Sequence, residues 1–131
     1  MISTSDKRWM KVAMQQAWMA PHDKWRVGAA LVRGGSLLSI GYNRYRNDPS
    51  MVDIPGVSYH AETVAVRRAG DPRGATIYIA RVTRSGLMGM AKPCLRCQRF
   101  LLENGIRDIV YSTDDGFAKE RAQYGLLEYG P

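Results

Sequence analysis

The sequence predicts an α/β fold, on three observations. Strand-like runs at residues 27–33, 37–42, 76–82 and 108–112 alternate with helical stretches. One helical segment lies between two of those runs, the arrangement of a right-handed parallel crossover. A chain of 131 residues, 45% of them hydrophobic, is long enough for one ordinary core and too short for two comfortable ones. A single domain over residues 1–131 is expected, because no repeat, low-complexity tract or flexible linker interrupts the chain.

Residues 5–19 read as a helix. Met10, Ala13, Met14 and Ala17 recur at helical spacing, Trp9 and Trp18 flank the same side, and Pro21 ends the pattern. This stripe is a core face rather than a set of ligands. Val27 to Arg33 and Leu37 to Tyr42 are two strands joined through Gly34-Gly35-Ser36 as a hairpin. Residues 43–58 carry Asn43, Asn47, Asp48, Pro49, Pro55 and Gly56 without periodicity, and a loop of that length in a small domain tends to serve function.

Ser58 is placed to cap a helix over residues 59–69 that Gly70 stops, and Thr76 to Val82 form the next strand. Pro93 suits the first turn of a helix running to Asn104 and halted by Gly105. Asp108 to Ser112 make a further strand, and residues 116–131 read as a short helix with an irregular end.

Composition narrows the function classes. No run approaches the roughly 18 apolar residues of a membrane span, and the N-terminus lacks a hydrophobic signal core, so an intracellular protein is expected. The formal charge of +7, from 19 basic and 12 acidic side chains, is compatible with nucleotides or nucleic acid, although many basic surfaces are merely solvated. Arginine outnumbers lysine by 14 to 5, and guanidinium suits bidentate phosphate contacts and base stacking.

Two motifs carry chemistry: His60-Ala61-Glu62 and Pro93-Cys94-Leu95-Arg96-Cys97. Cys94 and Cys97 are the only cysteines. A redox disulfide between them is one reading, but it gives His60 and Glu62 no task. Metal ligation uses all of them: one imidazole and two thiolates as ligands, plus a neighbouring carboxylate. Three protein ligands leave the fourth position of a tetrahedral zinc open to water, which is a catalytic layout. A closed structural site would need a fourth ligand, for which His22 or an acidic side chain is a candidate. Reduced thiols favour the cytoplasm.

Both motifs stand at expected helix starts. Cys94 and Cys97, three apart, then share a helix face, and the positive helix end favours thiolates. Two thiolates cancel the charge of zinc, so it acidifies a water less than an all-histidine site would. Glu62 fills that gap as a proton shuttle, a role that contributes roughly two to four orders of magnitude. Alone, Glu62 would read as a first-turn glutamate; beside His60 and the two cysteines it reads as catalytic.

The H-x-E and P-C-x-x-C pattern resembles that of zinc-dependent nucleobase deaminases, the cytidine and deoxycytidylate deaminase superfamily, which also includes tRNA adenosine deaminases. The resemblance spans residues 5–115. It implies a three-layer α/β/α fold with a mixed five-stranded sheet, and zinc between two helix N-termini. It also implies hydrolytic exchange of an exocyclic amine for oxygen, and assembly as a homo-oligomer. Val27-Gly28-Ala29-Ala30-Leu31 is similar to the family's first strand, which makes Ala29 and Ala30 candidate base contacts, and Ala61 joins them from the first motif. Gly41-Tyr42-Asn43 is similar to the second strand's end, which makes Asn43 a candidate sugar contact. Tight packing and a turn start are the plainer readings of those segments.

Two departures stand out. Residues 83–92 are longer than the family's tight strand-to-helix link, and Ala91-Lys92 replaces the polar pair that often precedes Pro-Cys. The preferred substrate is a free cytosine nucleoside or nucleotide, with Arg44 and Arg46 meeting a phosphate. The alternative is a polynucleotide, cytosine in a single strand or adenosine in tRNA, with Tyr45 or Trp25 as a stacking face. A non-catalytic zinc-stabilised binding module is the third reading.

Overall fold

A computed structural model describes residues 2–21, 25–43 and 60–122. In chain order the elements are α1 (Thr4–Met19), β1 (Arg26–Arg33), β2 (Ser36–Tyr42), α2 (Ala61–Ala69), β3 (Thr76–Val82), β4 (Met88–Gly89), α3 (Leu95–Glu103), β5 (Asp108–Thr113) and β6 (Gly116–Arg121).

The strands form one mixed sheet in the order β2-β1-β3-β5-β6, with β4 added beside β3. β1 pairs antiparallel with both β2 and β3, β3 pairs parallel with β5, and β5 pairs antiparallel with β6. The parallel pairing of β3 and β5, with α3 between them in the chain, is the crossover that the sequence pattern predicts. The sheet has six strands where five were expected. The additional strand is β4, a two-residue piece of the long 83–92 segment that pairs with Arg81 and Val82 beyond the point where β5 leaves β3.

A second difference lies at 116–121, which is a strand rather than a short helix. Asp114 and Asp115 make a two-residue connection, with Thr113 opposite Gly116, so the chain folds back as a hairpin. Turn chemistry overrides the weak helical pattern there. Leu126 and Leu127 lie outside the described residues.

The layers follow from the alternation along the strands. Ala30, Val32, Tyr78, Ala80 and Val110 face α1, where Met10 and Ala13 are fully buried. Ala29, Leu31, Ile77, Ile79, Ile109 and Tyr111 face the opposite way, against Ala61, Ala65 and Leu101 of α2 and α3. With both faces covered, β1, β3 and β5 read as near-continuous apolar runs. Met14 and Trp9 of the predicted stripe are partly buried, while Trp18 is 52% exposed.

The predicted hairpin is present, with Gly34 and Gly35 both at positive φ in a turn that such residues favour. Helix α1 opens on a capping box in which Ser3 Oγ accepts from the Asp6 amide and Asp6 accepts from the Ser3 amide. Pro93 precedes the N-cap of α3 rather than lying in its first turn, because Cys94 itself takes the cap position. His60 is the N-cap of α2, and Ser58 lies outside the described residues. Among the described residues no helix is long and apolar enough to cross a membrane.

Candidate metal centre and active site

The two helix starts meet on the α2–α3 side of the sheet. Gly41 of β2 permits this: a Cβ there would lie 2.9 Å from the Ala65 nitrogen and 3.0 Å from the Ala61 oxygen, so only glycine lets the first turns of α2 rest on the strand. Neither N-cap side chain bonds its own helix. Their backbones are fixed instead: Thr63 Oγ1 donates to the His60 carbonyl at 2.8 Å, and Gln98 Nε2 donates to the Pro93 carbonyl at 2.9 Å.

The ligand atoms of His60, Cys94 and Cys97 all lie within 4.8 Å of one another, and His60 Nδ1 is 3.0 Å from Cys97 Sγ. One imidazole and two sulfurs at such spacing fit a tetrahedral zinc. Among the described residues no fourth histidine, cysteine or acid joins this cluster as a ligand. His22 lies outside the described residues.

Glu62, at the second position of α2, is 5% exposed and still lines the cavity beside the cluster. Burial raises its pKa above the usual carboxylate value, and interactions with backbone, His60 and Cys97 offset this only in part. Burial likewise pushes the Cys97 thiol far above its ordinary value, and the negative charge of Glu62 and Cys94 pushes it further. For Cys97, burial and its neighbours Glu62 and Cys94 act against the thiolate that the helix start was expected to favour. A divalent cation bound at the cluster would supply the countercharge that favours the ionised forms of these groups.

The cavity has a volume of about 310 Å³. Ala61, His60, Cys94 and Pro93 form one side, Val27 and Asn43 another, and Trp25, Arg81, Met90 and Lys92 frame the rest. Asn43 lines this cavity, and its amide is engaged locally. Oδ1 accepts from the Val27 amide at 2.9 Å and Nδ2 donates to the Trp25 carbonyl at 2.6 Å. Ala29 and Ala30 are not brought to the cavity. Both are fully buried in β1, between β2 and β3, and the cavity meets β1 at Val27. Arg44 and Arg46 lie outside the described residues.

Sequence reasoning missed Arg81. Its signal was available: Ile77, Ile79 and Arg81 share one strand face, so a charge breaks the apolar phase where β3 reaches the cavity.

Residues 3–113 match the model of the cytidine and deoxycytidylate deaminase zinc-binding region. The chain belongs to that deaminase family. It is 29% identical over 119 residues to the riboflavin biosynthesis protein RibD of Aquifex aeolicus (strain VF5), covering 88% of this chain and 30% of that protein. It is also 29% identical over 112 residues to the tRNA-specific adenosine deaminase of Buchnera aphidicola subsp. Schizaphis graminum (strain Sg), covering 85% of this chain and 68% of that one. Among solved structures, the cytidine deaminase of Burkholderia pseudomallei superposes with a TM-score of 0.67 at 23% identity, over 92% of this chain and 94% of the other. The chain thus spans about a third of RibD, 68% of the tRNA-specific adenosine deaminase and 94% of the cytidine deaminase. In this member of the family, His60, Cys94 and Cys97 are positioned to hold a zinc ion.

Proposed function

We propose that the chain hydrolytically deaminates a free cytosine nucleoside or nucleotide, exchanging the exocyclic amine for oxygen and releasing ammonia. One observation carries this reading: the buried Glu62 lines the same cavity as His60 and Cys94, two of the three residues in the donor cluster. Zinc bound there would supply the positive charge that acidifies a water molecule.

The remaining work falls to the protein. Glu62 takes a proton from the attacking water and gives it to the ring nitrogen. It then takes the second proton from the oxygen now bonded to the ring carbon and passes it to the amine, which leaves as ammonia. Its place in the cavity wall, next to His60 in the chain, suits it to hold a proton between those steps. Ala61, small and fully buried at the cavity wall, lets the ring approach the donor cluster. Asn43 keeps one N–H and one oxygen lone pair beyond its two backbone hydrogen bonds, which suffices for one sugar hydroxyl. Arg44 and Arg46, next in the chain, are proposed to meet a phosphate.

A polynucleotide or tRNA substrate is the second reading, supported by the +7 charge and by Trp25, 54% exposed at the cavity rim. Incubation of the zinc-loaded protein with cytidine, deoxycytidine, dCMP, adenosine and a single-stranded oligonucleotide, followed by mass measurement, tests the choice. Conversion of a cytosine monomer is the expected outcome. Conversion of the oligonucleotide or adenosine alone overturns it.

A further inference from the structure

We infer that Arg81, stacked on Trp25 at the cavity mouth, is a specificity-determining residue that selects a substrate bearing a phosphate monoester. This rests on the deaminase reading above and specifies which form of the nucleoside is taken.

Arg81 is held at both ends. Its backbone N–H donates to Ser112 Oγ at 3.0 Å, and that hydroxyl, fully buried, donates to the Gly89 carbonyl at 2.7 Å. The side chain then runs along β4. A Cβ at Gly89 would lie 3.3 Å from both Arg81 Cδ and Nη1, so the missing side chain makes room for the arginine stem. The guanidinium carbon ends 3.8 Å from the centre of the Trp25 ring, in cation–π contact. The long 83–92 segment therefore has a discernible purpose: it supplies the shelf on which this cation rests.

Arg81 Nε is buried without a hydrogen-bond partner, and among the described residues no carboxylate pairs with Arg81. Lys92, the other cation among the described residues that line the cavity, is engaged with Glu120 at 3.2 Å. A stacked guanidinium keeps its N–H edge in plane, which matches two oxygens of one phosphate. One fork reads one phosphate, whereas a polynucleotide track needs a succession of cations and stacking rings.

The test compares dCMP with deoxycytidine in the wild type, Arg81→Met and Arg81→Lys. The wild type should prefer dCMP in kcat/KM, and Arg81→Met should shrink that preference about tenfold or more, the loss expected for a charge-assisted hydrogen bond. Arg81→Lys should retain part of it. Calorimetric binding of the same two ligands to zinc-loaded Glu62→Gln gives a second readout that needs no turnover. There dCMP should bind more tightly, and the added Arg81→Met change should bring the two ligands together. If no monomer is deaminated yet this binding difference appears and vanishes with Arg81→Met, the reaction assignment fails while the phosphate assignment holds. An equal response of both ligands to Arg81→Met, or no response, overturns the inference.

Discussion

His60 Nδ1 and Cys97 Sγ stand 3.0 Å apart, close enough to share a hydrogen that both must shed toward a common metal ion. Because Cys97 is held as a thiol by burial and by Glu62 and Cys94, zinc uptake must expel a proton. Zinc affinity should accordingly rise as pH rises, by about tenfold per unit for each proton released. Competition with a chelator at several pH values measures this, and a pH-independent affinity would contradict it. Cys97→Ser should abolish stoichiometric zinc.

Glu62→Gln should keep zinc and lose turnover by at least about a hundredfold, since the amide cannot relay protons. Metal content and deaminase rate on the same sample decide the matter. A variant with substantial residual activity removes the shuttle role.

Asp6 links three elements at once. Besides its place in the α1 capping box, it accepts from the Tyr78 hydroxyl at 2.7 Å on β3 and from Lys119 at 3.2 Å on β6. Burial alone would raise its pKa, but the Ser3 amide, Tyr78 and Lys119 together hold it below the usual value. A lowered carboxylate pKa stabilises the fold at pH above the unfolded value of about 3.9, and that stabilisation fades as pH falls through the lower folded value. Asp6→Asn should cost about 1–3 kcal/mol near neutrality, and the gap to the wild type should narrow on acidification. Denaturant unfolding at a series of pH values reads both effects.

Gly28→Ala should destabilise the fold by about 1–3 kcal/mol or more. An added Cβ would overlap the Ala13 carbonyl and the Ala17 amide of α1, which rests directly on β1 there. Since α1 covers the face opposite the metal cluster, the folded fraction should still take up zinc. A lowered Tm with unchanged zinc stoichiometry is the expected pair of results.

Much of this molecule was legible in its sequence because it rests on local rules. Period-3.6 spacing placed a helix over 5–19, within one residue of the observed Thr4–Met19, and Gly34-Gly35 located the first hairpin. The metal cluster was legible for a different reason: His60, Cys94 and Cys97 have few other tasks in such a pattern. What escaped depends on long-range placement. Val27-Gly28-Ala29-Ala30 looks alike whether small residues admit a ligand or a helix, and only the packing of α1 shows the helix at Gly28. Strand β4 is two residues long and exists only because β3 outruns β5, which no periodicity reveals. Asn43 was expected beside the cavity, but its grip on the Val27 amide and Trp25 carbonyl required the three segments in place.

Strand β4 borrows its pairing from the tail of β3, and the Thr83–Leu87 turn closes on itself through the Thr83 amide and hydroxyl. Neither anchors the helices that carry the ligating side chains. Residues 84–88 can therefore be trimmed, extended or exchanged while the reactive centre keeps its form. Recognition and reactivity occupy separable modules of the same small protein, so a retargeted variant is best sought by remodelling this rim rather than the floor.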